Sequence, residues 1–402
     1  MPDPTTGPPR PPEPTTGPPR PTETAVTPTR PPESAVTPTR PLVRVTGAAR
    51  HAWTLLTDRP LSLYAVSVLR IGYGLLYLVF LLREFPHRDA IWGPGSPWTP
   101  DLARQLFDQT GWVSVLTLSD SRLYFELCYA AALVVSLLFL LGWRTRAVSV
   151  LFALVVASFH ARSIFMTDGG DNLVLLMALY LVLTASGRRW SLDARRARRA
   201  PAGRRRLPGL PPQLAAARVT LVTAVHNCRL LVIGVQVCFL YGAAGLYKVQ
   251  GGTWGAGTAL HYVLNLDLFQ PWPALSHWAD EQVLAIAVVG YLTVLLQVAF
   301  PFVLFGRLKY PVLTMLLGMH IGIAVLMGLP LFSGAMIIAD AVFLPDRFWV
   351  AAGRLARRAL GRTAEAQPEP AVAPETSGVL DGAGTPRGAV PKQGSRAGTN
   401  AG

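Results

Sequence analysis

The middle of this chain is a ladder of apolar segments, and that feature limits the fold more than any other. Eight segments, at 61–82, 124–141, 147–165, 172–185, 230–247, 283–305, 312–326 and 331–350, are rich in Leu, Val, Ala and Phe and poor in charge. A helix needs about 20 apolar residues to cross a bilayer. The fourth and seventh segments are shorter and are expected to sit half-buried within the bundle. Of all residues 51% are hydrophobic and 15% charged, whereas soluble domains carry roughly 25% charged residues. The pattern predicts an all-α, polytopic membrane helix bundle of about eight transmembrane helices.

Residues 1–48 read differently. TTGPPRP occurs at 5–11 and 15–21, and AVTPTRP at 25–31 and 35–41. This Pro/Thr-rich tandem repeat has no core-forming residues and predicts a disordered, partly polyproline arm. The expected division is 1–48 arm, 49–358 membrane domain and 359–402 disordered Gly/Ala/Pro-rich tail. No apolar h-region stands in the N-terminal segment, so insertion is expected to begin at the first span.

Charge sets the expected orientation. The connector GRRWSLDARRARRAPAGRRR between spans four and five holds nine arginines and one aspartate. Arg144 and Arg146, Arg307 and Lys309, and Arg354, Arg357 and Arg358 follow spans two, six and eight. Eight spans place all four segments on one side, which the positive-inside rule assigns to the cytoplasm together with both termini. The net charge of +14 is read as facing an anionic leaflet. Nucleic acid is excluded as a partner, because the arginines cluster between apolar runs and not along an aromatic-studded groove. Cys128, Cys228 and Cys238 have no metal-ligand spacing and read as packed apolar residues; no metal site is expected.

The opposite side collects the residues that could carry chemistry. Only three lysines occur, and Lys248 alone ends an apolar run long enough to span. An ionisable residue at membrane depth is a functional-site hypothesis by default. His160 and Arg162, in SFHARSIF, end span three; Asp168 and Asp171, in MTDGGDN, open span four. Each also has a structural reading. Lys248 can snorkel to the interface at a helix C-terminus. Arg162 can pair with Asp168 or Asp171, and Asp171–Asn172 can cap a helix. His320 lies roughly 12 Å into span seven, between Gly318 and Gly322, where it either bonds a neighbouring helix or acts. Asp340 in span eight is its candidate partner. The Trp/Pro/Gly-rich loops at 91–107 and 251–278 read equally as an aromatic belt or as caps over a cavity. Walker A, HExxH, GxSxG and dinucleotide signatures are missing from the sequence.

Several segments together resemble the HTTM family, the horizontally transferred transmembrane domain shared with vitamin K-dependent γ-carboxylase. They are LRIGYGLLYLVF, IWGPGSPW, FHARSIFMTDGGDNLVLLMALYLVLTASGRRWSLD, YGAAGLYKVQGGTWGAGTALHY and MHIGIAVLMGLPLFSGAMI, within about residues 60–350. The resemblance implies that Lys248 is the base that deprotonates a vitamin K-type hydroquinone, followed by Trp254, with His320 matching a histidine of a later helix. It implies an outward-facing site and a carboxylase-like lyase or oxidoreductase activity. The carboxylase carries a large lumenal domain after its helices, and here a short tail follows instead. The expected function is an HTTM-type protein of a bacterial-type cell membrane acting on a reduced quinone or a secreted peptide. Lys248, His160 and His320 are the catalytic candidates; Arg162, Asp171 and Trp254 bind substrate. The alternative is a non-catalytic transporter or peptide-maturation and immunity component, since bacterial members include a toxin-maturation membrane protein.

Overall fold

The computed structural model describes residues 50–199 and 211–365. The repeat arm and most of the C-terminal tail lie outside the described residues. Residues 50–55 are helical and are assigned to a unit separate from the residues that follow. The rest is helical, with no strand among the described residues. Its main helices are α1 (Leu63–Glu84), α2 (Pro100–Thr110), α3 (Arg122–Leu141), α4 (Thr145–Arg162), α5 (Gly169–Leu181), α6 (Leu192–Arg199) and α7 (Pro212–Val249). α8 (Ala259–Leu264), α9 (Pro273–Asp280), α10 (Val283–Val303), α11 (Lys309–Leu326), α12 (Pro330–Asp340) and α13 (Asp346–Glu365) follow.

Six described helical stretches are long and apolar enough to cross a membrane: α1 with the turns that carry it on to Ile91, α3, α4, α7, α10 and α11. α5 and α12 are apolar but shorter. Eight helical segments therefore occupy the expected places, with six of spanning length. The expected short spans were the fourth and seventh; the short helices are the fourth and eighth. Span eight was expected to run to residue 350. It stops because Leu344, which precedes Pro345, is extended, the conformation a following proline imposes. α13 then starts afresh as a separate arginine-bearing helix and continues through Glu365, past the expected boundary at 358. Its Ala- and Arg-rich sequence favours helix and meets no proline there.

α7 differs most from expectation. The apolar run at 230–247 is the second half of a 38-residue helix, about 57 Å long. Its first half was not legible as a span because polar residues interrupt it. Two of these, His226 and Asn227, are buried and do structural work. Asn227 accepts from the Leu61 amide at 2.9 Å and donates to the carbonyls of Leu56 and Arg59. His226 accepts from Ala185 N–H at Nδ1 (3.1 Å), which leaves Nε2 to donate to Leu61 O (2.8 Å).

α1 is the central pillar. Ala65, Leu69, Tyr73, Tyr77 and Leu81 repeat every fourth residue and are all buried, a stripe that lies along one helix face. α1 packs on α3 and α12, α4 packs on α3 and α5, and α7 packs on α10. At Gly74 a β-carbon would meet the Leu140 backbone at 3.0 Å, so glycine permits the α1–α3 approach. Helix direction alternates, which gives the bundle two ends. The basic face carries Arg144, Arg146, Arg188, Arg189 and Arg307. The loop face carries 85–121, 163–168, 250–282 and the turn at 327–329.

Arg70 anchors the basic face. It is 0% exposed and donates to the carbonyls of Ser186, Phe139, Leu140 and Trp190. Asp193, from the WSLD run, accepts from the amides of Arg144 (3.0 Å) and Thr145 (2.7 Å) and so fixes the start of α4.

Candidate functional site

A cavity of about 320 Å³ opens at the loop face between α1, α4, α5, α12 and the first long loop. That is the lower end of the size range of small-molecule sites. Tyr77, Phe80, Trp92, Phe159 and Phe332 give it aromatic walls, and Arg83, Glu84, His160, Asp168 and Asp171 give it polar ones. Trp92 comes from IWGPGSPW and is 2% exposed. The first loop therefore contributes a wall, and no residue of 251–278 lines the cavity.

Three lining residues hold buried polar atoms with no hydrogen-bond partner among the described residues: Tyr77 Oη, Trp92 Nε1 and His160 Nδ1. Buried polar groups are nearly always paired, and leaving one unpaired costs about 1–3 kcal/mol. Three residues that carry such atoms stand around this one cavity.

The aspartates are largely committed to α5. Asp168 is its N-cap: Oδ1 accepts from Gly170 N–H (2.6 Å) and Asp171 N–H (3.0 Å), while Asp171 Oδ2 accepts from Asp168 N–H (2.9 Å). This reciprocal capping box makes Asp168 the cap and places Asp171 at the third helical position, so the expected cap at Asp171–Asn172 is corrected to Asp168. Gly170 touches α12: a β-carbon there would meet the Phe332 Cα at 2.8 Å. GGDN thus encodes the close contact that forms the cavity floor.

Arg162 does not pair with either aspartate. It is 0% exposed, donates through Nη2 to Gly93 O at 3.2 Å, and its Nε and Nη1 have no partner among the described residues. It lies beneath the first loop, off the cavity lining. α2 is held down by Arg104, which forks onto Asp120 at 3.0 Å through both terminal nitrogens and also reaches Thr117 O. The fork draws the Asp120 carboxyl below its ordinary value.

Lys248 is at the loop face but not in the cavity. Its half-buried ammonium lies 3.4 Å from Ala244 O and 5.3 Å from the centre of the Trp254 ring. No carboxylate is within ion-pair distance among the described residues. Lys248 and Trp254 therefore meet each other, and His160 and Asp171 meet at the cavity; the structure does not join the two pairs. The second loop has its own latch. Asp280 accepts from Asn265 (2.9 Å) and lies 2.7 Å from His261 Nδ1, tying α8 to α9.

His320 lies deeper. It is 2% exposed, and its Nε2 is 3.0 Å from the Tyr241 hydroxyl, which donates to Asp340 Oδ2 at 2.9 Å. The expected partnership of His320 and Asp340 is thus formed through a residue that the sequence did not single out. Tyr241 was hidden because a tyrosine in an apolar run reads as core.

Comparison with protein-family models, curated proteins and solved structures finds no match to this chain. The site therefore stands on its own geometry.

Proposed function

We propose that this is a multi-pass protein of a bacterial-type cell membrane, HTTM-like, with both termini cytoplasmic, whose loop-face cavity binds a quinone-class ring. The single observation that carries this reading is the set of unpaired Tyr77, Trp92 and His160 atoms among aromatic walls. A flat ring with an oxygen at each end matches such a lining. Tyr77 O–H and Trp92 N–H donate to a quinone oxygen, and His160 Nδ1, as a lone-pair acceptor, takes the hydroxyl of the reduced form. Bound hydroquinone would supply reducing equivalents for oxygen chemistry. The chain's part is to orient the ring, exclude water and hold a proton at His160. His160 replaces Lys248 as the base nearest the ligand in this reading.

The arginines of the basic face support the orientation. Arg144, Arg146, Arg188, Arg189 and Arg198 surround a groove with Asp193, suited to anionic lipid headgroups. A non-catalytic transporter or peptide-maturation and immunity role is the second reading, favoured by the position of Lys248 outside the cavity.

The test is a titration of the purified protein in nanodiscs with a short-chain naphthoquinone, followed by tryptophan quenching. Saturable quenching that is lost in Trp92→Phe and weakened about tenfold or more in His160→Ala, as removal of one buried polar contact predicts, is the expected result. Unsaturable quenching, or equal affinity in the His160 and Tyr77 variants, overturns the reading.

A further inference from the structure

Three ionisable side chains from three helices meet inside the bundle, behind the cavity. Counted from the loop-face helix ends, Tyr241 of α7, His320 of α11 and Asp340 of α12 lie about 12, 9 and 15 Å deep. In a hydrocarbon layer about 30 Å thick they stand well away from bulk water. Such residues are costly there and mark proton or ion pathways when they are present.

A network that only holds helices together is expected to be fully bonded. His226 shows that arrangement, with both ring nitrogens paired to backbone. His320 does not: its Nδ1 has no partner among the described residues, and neither does Asp340 Oδ1. The bonded atoms form a single line, His320 Nε2, Tyr241 Oη, Asp340 Oδ2. Phe332 borders both this line and the cavity. It lines the cavity, and its ring centre is 6.0 Å from that of His320.

We propose that His320, Tyr241 and Asp340 form a proton-exchange site, in which one proton moves between imidazole and carboxyl through the tyrosine hydroxyl, with access from the cavity past Phe332. The step is balanced. In the charged form the imidazolium donates Nε2–H to Tyr241 and Tyr241 donates to the Asp340 carboxylate. Transfer breaks Nε2–H, forms a new O–H at Tyr241 and delivers the former tyrosine proton to Asp340 Oδ2. Imidazole, phenol and carboxylic acid result, all neutral. The net charge of the three groups is zero throughout, so the transfer buries no added charge. The facing groups support this isolation. From α1, the Tyr73 hydroxyl donates to Ala335 O and its ring lies near Asp340. From α10, the uncharged Gln297 reaches Met319 Sδ. Arg83, Glu84, His160, Asp168 and Asp171 line the cavity that Phe332 borders. The site is independent of which ligand occupies the cavity.

The experiment uses the full chain in nanodiscs without added ligand. Infrared difference spectra are recorded as pH is stepped across the histidine range. The expected result is a carboxylic-acid band that changes together with imidazole bands and is lost in Asp340→Asn. Tyr241→Phe, nearly isosteric and the safer variant for folding, is expected to separate the two signals in pH. Carbethoxylation of His320, read by mass spectrometry, is expected to accelerate severalfold in Phe332→Ala. A wild-type spectrum with no Asp340-dependent band, or a Tyr241→Phe spectrum identical to wild type, overturns the exchange site. Unchanged His320 modification in Phe332→Ala overturns the access route.

Discussion

Tyr241 donates its hydroxyl to Asp340 Oδ2 at 2.9 Å, a bond between α7 and α12 made deep within the bundle. It is the only hydrogen bond found for the Asp340 carboxyl among the described residues, because Oδ1 has no partner. Tyr241→Phe is therefore expected to cost about 1–3 kcal/mol, the range for stranding a buried polar group. Combining it with Asp340→Leu should cost less than the sum of the two single changes. Thermal unfolding of the four proteins in one detergent measures the coupling, and strict additivity would show that the bond contributes nothing.

Arg70 and Arg162 are both fully buried, yet they are opposites. Arg70 reaches four carbonyls and Arg162 one. Replacing Arg70 by Ala should lower stability by roughly 3 kcal/mol or more, since the bonds are charge-assisted and the carbonyls are left bare. Lys should not restore it, because one ammonium cannot reproduce the planar fork. Expression yield and thermal midpoint are the readouts.

Gly170→Ala should destabilise although alanine is the better helix former. The new β-carbon would sit 2.8 Å from the Phe332 backbone, and relieving such overpacking costs about 1–3 kcal/mol. Because Phe332 and Gly170 both line the cavity, quinone affinity should fall in the same variant. Unchanged stability and affinity would show that α12 moves freely.

The latch on α2 has a defined pH dependence. Asp120 is drawn below its ordinary value chiefly by its hydrogen bonds with Arg104. A carboxyl depressed in the folded state stabilises it above the unfolded value, about 3.9, and loses that effect as pH falls through the folded value. Hydrogen-exchange protection over 100–120, corrected for the intrinsic exchange rate at each pH, should be flat from neutral pH down to about 4 and fall only in stronger acid. In Asp120→Asn the lower protection should be present already at neutral pH.

Lys248→Met tests the role implied by the carboxylase resemblance. Lys248 is outside the cavity and rests on Trp254, a contact worth about 0.5–1 kcal/mol at exposed sites. Its replacement should leave the thermal midpoint and quinone affinity close to wild type. A large loss of affinity would place Lys248 at the ligand.

An all-helical membrane protein was legible from the amino-acid pattern, because length and apolarity of a segment are local properties that a bilayer reads directly. The pattern also placed His160 and Asp171 at one end of the bundle, since each closes or opens an apolar run. His320 with Asp340 could be suspected for the same reason: ionisable residues stand out against apolar neighbours. The long first half of α7 stayed hidden because His226 and Asn227 resemble a polar break until their backbone partners at 56–61 and 185 are known. Tertiary structure alone decided which polar groups are satisfied. Arg70 and Arg162 look alike in sequence, as do His226 and His320, and Tyr77 and Tyr241 look like ordinary core. Their differences lie in carbonyls, carboxylates and cavities that distant segments supply. Hydrogen-bond satisfaction is a property of pairs brought together by packing, so it is decided only when the helices meet.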